Sequence, residues 1–243
     1  MNTTTAEKLL RIYHPMVASR YTDHLQSAAA QRGEVFFYIP SSGHEAAAAI
    51  APHLIDADWL HLHYRDRALA YARGVSYETV FYGLFSKEES NSAGRRMPAF
   101  PCDRSLNIMS TPPLVGSNVL QAVGAASAIK HDEGNPFVLV SVGDGATQQG
   151  DFYEAVAEAV RANQPVLFLI EDNRFALPTV PKVNTFYPLP EGATDIVYGL
   201  PIHPANGSTA LSTLGTLDEV ARRLRPAPCP PLVVFNLELP ARP

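Results

Sequence analysis

The chain has 243 residues, of which 46% are hydrophobic and 18% are charged, and its formal net charge is -5. This length and composition are typical of a globular protein that can bury a sizeable core. The sequence contains no basic run and no uninterrupted apolar stretch near the roughly 20 residues of a membrane span. We therefore expect neither nucleic acid nor a membrane among its partners.

The N-terminus and the cysteines bear on the compartment. The first eight residues lack the basic-then-apolar layout of a secretory signal. Cys102 and Cys229 lie far apart and outside any metal or redox motif, which indicates reduced thiols. Together these features predict a cytoplasmic protein.

The first half of the chain predicts mainly helices. Apolar residues recur at helical spacing from about residue 5 to residue 31, and Gly33 ends this pattern. We therefore predict an N-terminal helical arm over about residues 1–33. One face of that arm carries Leu9, Leu10, Tyr13, Met16, Val17 and Tyr21. Further helices are predicted over residues 45–51, 66–73, 77–85 and 117–130, with a loop over residues 86–113.

The second half alternates strands with helices. Apolar runs at residues 136–142 and 165–170 predict buried strands, and the helical spacing between them predicts a helix over residues 148–162. An apolar segment at residues 196–200, a helix near residues 216–225 and a strand over residues 232–237 follow. This alternation predicts an α/β fold, a doubly wound parallel sheet with flanking helices, as a single domain over residues 1–243.

Two polar residues follow neighbouring strands of that sheet. Asp144 lies in a Gly143-Asp144-Gly145 turn, and Asn173 follows the next strand 29 residues later. Ligands bind beyond the carboxyl ends of parallel strands, and a carboxylate with an amide oxygen suits Mg²⁺. Gly145 and Ala146 are expected at the start of the following helix, where free N–H groups favour an anion. The alternative is a structural crossover in which Asp144 stabilises only its own turn.

The same residues carry a resemblance to a known family. Gly143-Asp144-Gly145 with Asn173 at this spacing resembles the thiamine-diphosphate-binding motif. Three upstream segments narrow the resemblance to one family within the proteins that carry this motif. They are Leu62-His63-Tyr64-Arg65-Asp66, Gly94-Arg95-Arg96-Met97-Pro98 and Gln121-Ala122-Val123-Gly124-Ala125-Ala126. Over about residues 5–240 the chain resembles the α subunit of the E1 component of 2-oxo acid dehydrogenase complexes. The Gly-Arg-x-Met-Pro element and Ser42-Gly43-His44-Glu45-Ala46 favour the branched-chain type over the pyruvate type.

The resemblance implies a diphosphate-domain fold that binds thiamine diphosphate and Mg²⁺. Asp144, Asn173 and the backbone carbonyl of Phe175 would be the metal ligands, with the Phe175 ring serving only for packing. Tyr64 and Arg65 match a pair whose arginine contacts the cofactor diphosphate. The implied cofactor-binding residues are Tyr64, Arg65, Leu114, Val115, Gly143, Asp144, Gly145, Ala146, Asn173 and Phe175.

Several of these roles have a structural alternative. Arg65 could form a surface salt bridge instead of a diphosphate contact. Leu114-Val115-Gly116 matches the segment that touches the aminopyrimidine ring of the cofactor. Val115 is our choice for that contact, because Leu114 is an equally plausible core residue.

The histidines are the candidate catalytic residues. His61 and His63 flank Leu62 beside the Tyr-Arg pair, so one of them could face the site, although structural histidines are at least as plausible. His44 corresponds to a family position near the active-site entrance, or it only begins a helix. We take His63 and His44 as the catalytic candidates. Arg95 and Arg96 could bind a substrate carboxylate or form a solvated basic pair.

The resemblance implies an α-type subunit that oxidatively decarboxylates a branched-chain or similar small 2-oxo acid. In the family a β-type subunit supplies the pyrimidine-binding domain and its catalytic Glu, and a lipoyl or other acyl carrier accepts the product. We therefore expect half of an active site, in an α₂β₂-like heterotetramer. The family's α subunits continue beyond the position of Pro243 into a loop with a histidine, so the resemblance is to a trimmed subunit. The alternatives are a split carboligase or decarboxylase without a lipoyl carrier, and a non-catalytic subunit that stabilises its partner.

Overall fold

The computed structural model describes residues 5–100, 102–175, 186–189, 192–225 and 230–239. Within them, six strands form one sheet in the spatial order β1-β2-β3-β8-β7-β6, parallel throughout except for β6. Two further strands pair with each other. The strands are β1 (Trp59–His61), β2 (Val138–Gly143), β3 (Val166–Asp172), β4 (Pro188–Leu189), β5 (Gly192–Ala193), β6 (Ile196–Val197), β7 (Leu200–Asn206) and β8 (Leu232–Asn236).

Helices connect and cover these strands. The α-helices are α1 (Thr5–Gln31), α2 (Arg67–Arg73), α3 (Tyr77–Leu84), α4 (Ser117–Ile129), α5 (Gly150–Arg161) and α6 (Ala210–Leu224). Three segments are 3₁₀-helical, namely Glu45–His53, Arg104–Leu106 and Asp144–Gln148.

Both faces of the sheet are buried, as the apolar strands predict. Alternate residues such as Leu139 and Leu167 pack in a core with α6, the 3₁₀ segment Glu45–His53 and Ile12 of α1. Their neighbours Val140 and Phe168 pack in a second core with α4 and α5. The predicted doubly wound α/β sheet is therefore confirmed.

Some predicted boundaries are wrong. The helix predicted over residues 148–162 is α5, which starts at Gly150 after the separate 3₁₀ turn Asp144–Gln148. Helix α6 starts at Ala210, six residues before the predicted start. The prediction missed its first turns because they contain serines and threonines, and the buried apolar residues begin only at Leu214. The segment predicted at 196–200 is divided into β6, a turn and β7, whose two prolines hide the strand pattern.

Helix α1 has the predicted bounds, but only part of its predicted apolar face is buried. Leu9 and Met16 pack beside the buried Ile12. Polar residues such as Asp23 complete the contact, and Asp23 accepts hydrogen bonds from the Arg67 guanidinium (2.7 Å) and the Ser41 N–H (2.9 Å). Apolar residues one helical turn apart stay exposed to solvent. These residues, which we call the α1 stripe, are Leu10, Tyr13, Val17, Tyr21 and Leu25.

Two further expectations concern the cysteines and membranes. Cys102 carries a free thiol, as expected. Cys229 lies outside the described residues. Among the helices that the structure describes, none has the length and apolar character needed to cross a membrane.

Candidate functional site

The two polar residues predicted at one sheet edge lie on neighbouring strands. β2 and β3 pair in parallel, and Gly143 is the register partner of Glu171. Asp144 follows β2 directly, and Asn173 follows β3 directly. The βαβ unit therefore brings a carboxylate and an amide to the carboxyl edge of the sheet, where ligands bind in such folds.

The Asp144 carboxylate is buried and only partly hydrogen-bonded, as is typical of a cation ligand. Its side chain is buried, and its Oδ2 has no hydrogen-bond partner among the described residues. Burial raises the pKa of Asp144 to about 6, and the negative charge of Asp172 adds to the increase, against the opposing effect of the Gly145 N–H. A bound cation would compensate this charge, so the donor set fits an oxygen-binding metal ion.

Asn173 is held at both ends of its amide. Its Oδ1 accepts a hydrogen bond from the Phe175 N–H at 2.9 Å, and its Nδ2 lies 3.2 Å from the Nε2 atom of His44. Between Asn173 and Phe175 the backbone turns at Arg174, which has a φ of 61°. The Phe175 ring is 52% exposed among the described residues.

Gly145 and Ala146 lie in the 3₁₀ turn Asp144–Gln148 instead of at the start of α5, whose N-cap is Gln149. The Thr147 hydroxyl closes this turn by donating to the Asp144 carbonyl at 2.6 Å. The prediction that these two residues begin the helix is therefore wrong, because the 3₁₀ turn precedes the start of α5 at Gly150. They still follow β2 at the sheet edge, beside Asp144.

The segment Leu114-Val115-Gly116 lies against the same turn. Gly116 has a φ of 85°, and a Cβ there would lie 3.0 Å from the Gln149 side chain and 3.3 Å from the Ala146 carbonyl oxygen. Leu114 is 73% exposed and Val115 51% exposed, so the alternative that Leu114 is a core residue is wrong. Both side chains are available to a ligand at this edge.

His63, Tyr64 and Arg65 follow β1 on the other side of Gly143. A Cβ at Gly143 would lie 3.5 Å from His63 Nε2, and the His63 and Tyr64 ring centroids are 4.0 Å apart. Arg65 lies over the Tyr64 ring at 5.2 Å and donates to the Pro40 carbonyl at 2.5 Å. Arg65 is thus bonded to backbone and forms no salt bridge with an acid within the described structure.

The histidines differ in what they contact. His61 bonds the Ser110 carbonyl oxygen at 3.1 Å, which is a structural role. His63 packs beside Gly143, and burial lowers the pKa of its ring. His44 is only 1% exposed, and its Nδ1 lies 2.5 Å from Glu171 Oε2. The expected place of His44 near an entrance is therefore wrong, because its ring lies beneath Asn173.

Sequence reasoning gave no role to the buried polar group around Glu171. Burial would raise the pKa of Glu171, but the field of His44 and hydrogen bonds from Asp66 and both histidines outweigh it and hold that pKa well below its usual range. Burial, followed by the Glu171 charge, raises the pKa of Asp66 well above its usual value. The available signal was a pair of acids, Glu171 and Asp172, at the end of a fully apolar strand.

A cavity adjoins this site between α2, α3 and the loop that contains Arg96. Tyr64 forms one wall of this cavity, and its ring centroid lies 4.0 Å from that of His63. Arg96 brings a cation to the cavity wall, whereas the exposed Arg95 bonds the Ser92 carbonyl. Most of the remaining lining is apolar, including Ala70, Val75, Val80, Met97, Pro98 and Phe100.

Comparisons with known proteins agree with this geometry. The 2-oxoisovalerate dehydrogenase subunit alpha of Bacillus subtilis (strain 168) is 29% identical over 234 residues, which cover 94% of this chain and 70% of the relative. The pyruvate dehydrogenase E1 component subunit alpha of Staphylococcus aureus (strain Mu50) is 27% identical over 220 residues, which cover 90% of this chain and 57% of the relative. The chain thus spans between about half and 70% of the length of these relatives.

A solved structure shares the fold. A transketolase from Campylobacter jejuni superposes with a TM-score of 0.59 at 18% identity, covering 96% of this chain and 38% of that one. This likeness confirms the predicted fold class. The sequence model of the family described as "Dehydrogenase E1 component" matches residues 13–226. The chain is therefore a member of the dehydrogenase E1 component family.

Proposed function

We propose that the chain is the α-type subunit of a thiamine-diphosphate- and Mg²⁺-dependent 2-oxo acid dehydrogenase. The observation that carries this proposal is the buried Oδ2 of Asp144, which has no hydrogen-bond partner in the described part of the chain, beside Asn173 at one sheet edge. A chain that served only as a scaffold would gain nothing from a buried carboxylate without a partner, because such a group costs stability.

The chain's own residues would hold the cofactor by its diphosphate end. Asp144, Asn173 and the Phe175 carbonyl would supply oxygen ligands to Mg²⁺, which usually also binds phosphate oxygens and water. The guanidinium of Arg65, with its fork of donors, suits the diphosphate and would share or leave the Pro40 carbonyl to bind it. When bound, thiamine diphosphate supplies the electron sink that permits loss of CO₂ from a 2-oxo acid.

Other residues would define the reacting end of the site. His63 is our candidate for contact with the reacting groups, since its neutral ring lies between Gly143 and Tyr64. The exposed Leu114 and Val115 would give the aminopyrimidine ring an apolar contact and help to exclude water. His44 has both ring nitrogens engaged below the site, so it is not placed to touch substrate.

The cavity beside Tyr64 supports a small 2-oxo acid with an apolar side chain. Much of its lining is apolar, and Arg96 at its wall offers a cation for the substrate carboxylate, whereas Arg67 is already paired with Asp23. A branched-chain 2-oxo acid meets both requirements. The similarity to a 2-oxoisovalerate dehydrogenase subunit alpha is consistent with this choice.

The proposed enzyme needs a second chain. We expect a β-type subunit to supply the pyrimidine-binding domain and its catalytic Glu, in an α₂β₂-like assembly. The exposed α1 stripe supports an additional interface, because solvent-exposed apolar patches often mark association surfaces. A lipoyl domain or another acyl carrier would accept the product.

Calorimetry on the complex with its β-type partner tests the proposal. Thiamine diphosphate is expected to bind with Mg²⁺ and to lose binding in EDTA or in Asp144→Ala. The matched control is Asp151→Ala, an exposed carboxylate in the first turn of α5, which is expected to bind like the wild type. Equal affinity in Asp144→Ala and the wild type, with and without EDTA, would contradict the metal site.

CO₂ release from a panel of 2-oxo acids separates the alternatives. Release together with acyl transfer to a lipoyl domain supports the dehydrogenase. Release with acyloin formation and no lipoyl transfer favours a split carboligase. Cofactor binding without release from any acid favours a non-catalytic subunit.

A further inference from the structure

His44 lies directly beneath the amide of Asn173. The imidazole is 1% exposed, and both of its nitrogens are engaged, Nδ1 with Glu171 Oε2 at 2.5 Å and Nε2 with Asn173 Nδ2 at 3.2 Å. The ring therefore spans the gap between an acid and an amide, and it has little freedom to rotate.

The direction of each hydrogen bond follows from the partners. A carboxylate only accepts, so the His44 Nδ1 must carry the hydrogen that it shares with Glu171. In the neutral ring Nε2 is then an acceptor, and it can pair only with the NH₂ end of the Asn173 amide. The Oδ1 end of that amide consequently points away from His44, where it accepts from the Phe175 N–H.

We propose that His44 is a positioning residue that fixes the amide orientation of Asn173, so that Oδ1 instead of Nδ2 is offered to a hard cation. An amide has one oxygen and one nitrogen end, and Mg²⁺ and Mn²⁺ bind the oxygen. A rotated amide would present an NH₂ group to the cation and would remove one ligand. The inference rests on the proposed function for the identity of the cation.

The acid on the other side keeps His44 in this orientation. Glu171 is fully buried, and its Oε2 lies 2.5 Å from His44 Nδ1 and 3.2 Å from His63 Nδ1. Outer partners of this kind typically change metal affinity by about 10–100-fold when they are lost.

The test compares His44→Gln with His44→Leu. Gln keeps one donor and one acceptor on a side chain of suitable length, whereas Leu keeps the volume and loses both. Mn²⁺ serves as the probe, measured by electron paramagnetic resonance on the complex in the presence of thiamine diphosphate. We expect Leu to weaken Mn²⁺ binding about 10-fold and Gln to stay within about 3-fold of wild type.

The same pair of variants in an Asn173→Asp background isolates the orientation effect. A carboxylate has two equivalent oxygens and needs no orienting partner, so Gln and Leu are expected to bind Mn²⁺ within about 2-fold of each other there. A general loss of folding in His44→Leu would instead lower Mn²⁺ affinity, and the unfolding midpoint, in both backgrounds.

The outcomes separate this inference from the proposed function. Mn²⁺ binding by wild type that His44→Leu leaves unchanged would overturn the role of His44 alone, as would a Leu effect of equal size with and without the Asn173→Asp substitution. A wild-type complex that binds neither Mn²⁺ nor thiamine diphosphate would overturn the proposed function and, with it, the role of His44.

Discussion

Asp66 and Glu171 are buried carboxyl groups whose pKa values are shifted in opposite directions. The pKa of Asp66 is raised well above its usual value and the pKa of Glu171 is lowered, so Asp66 is the protonated member. Asp66 Oδ2 accepts hydrogen bonds from the His63 N–H at 3.0 Å and from the Ser141 hydroxyl. The pair therefore ties the start of α2 to the ends of β2 and β3, directly beneath the site.

Substitution of Asp66 tests whether this carboxyl is protonated in the folded chain. Asp66→Asn keeps a donor for Glu171 and an acceptor for His63 and Ser141, so we expect the free energy of unfolding to change by less than about 1 kcal/mol. Asp66→Leu removes both functions and leaves the buried Ser141 hydroxyl without its carboxyl acceptor, while Glu171 keeps only its histidine contacts, and we expect a loss of about 3 kcal/mol. Urea unfolding measures both. Equal losses in the two variants would show that Asp66 is ionised.

Gly116 and Gly124 form a matched pair for the loop that carries Leu114 and Val115. Gly116→Ala places a Cβ at a φ of 85° and 3.3 Å from the Ala146 carbonyl, so we expect it to lower the unfolding free energy by about 1–3 kcal/mol and to weaken cofactor binding. Gly124→Ala lies within α4, where the new Cβ meets nothing within 4 Å, and we expect up to about 1 kcal/mol of stabilisation. Thermal unfolding of both variants measures these changes. Stabilisation by both substitutions would contradict the conclusion that the backbone at Gly116 cannot accept a side chain without strain.

His53 gives the chain a pH-dependent stability. Burial lowers the pKa of His53 from 6.5 to about 4. The Asp218 carboxylate, 3.3 Å from Nε2, opposes the lowering, whereas the positive charges of Lys8, Arg225 and Arg222 increase it. A histidine with a lowered folded pKa binds more protons when unfolded. Its contribution is therefore complete above about pH 6.5 and is lost as the pH falls towards 4.

We expect His53→Gln to flatten that dependence. Wild type should lose about 2 kcal/mol more than the variant between pH 7 and pH 4, which is less than the full pKa difference because solvent screens the Lys8, Arg225 and Arg222 charges that add to the lowering. Urea unfolding at four pH values across this window measures the difference. Parallel curves for the two proteins would show that His53 titrates normally in the folded state.

The sheet and the meeting of Asp144 and Asn173 at one edge could be predicted from sequence, because both depend on local patterns. Buried parallel strands are continuous apolar runs, and residues that follow two such strands meet at one edge. β7 could not be predicted in this way, since Pro201 and Pro204 interrupt its apolar strand pattern. It forms a strand through its parallel pairing with β8, which is distant in sequence.

The polar layer under the site depends on contacts distant in sequence. Glu171 meets His44 across 127 positions, and Asp66 meets Ser141 across 75. No local spacing encodes such pairs. The buried face of α1 could not be predicted for the same reason, because the α1 stripe stays exposed and part of the buried face is polar and held by hydrogen bonds.

Val80 provides a test of the cavity as the substrate side-chain pocket. Val80→Phe would fill the apolar space beside Tyr64, so we expect the ratio of kcat/KM for 2-oxoisovalerate over pyruvate to fall about 10-fold. Val80→Ala enlarges the same space and should move preference towards a longer side chain. Steady-state kinetics of the α–β complex gives both ratios. Unchanged ratios in both variants would place the substrate side chain elsewhere.

The α1 stripe provides a test of assembly. Val17 is 48% exposed and Tyr21 64% exposed, so the double substitution of both by Asp should leave the unfolding midpoint of this chain nearly unchanged. It would introduce two charges into an apolar interface, and we expect the dissociation constant for the β-type partner to rise at least about 100-fold. The control is Val17→Leu with Tyr21→Phe, which keeps the stripe apolar. Co-expression followed by light scattering reports the species formed. An intact heterotetramer from the Asp double variant would show that the stripe lies outside the interface, while full decarboxylase activity from this chain alone would contradict the need for a partner.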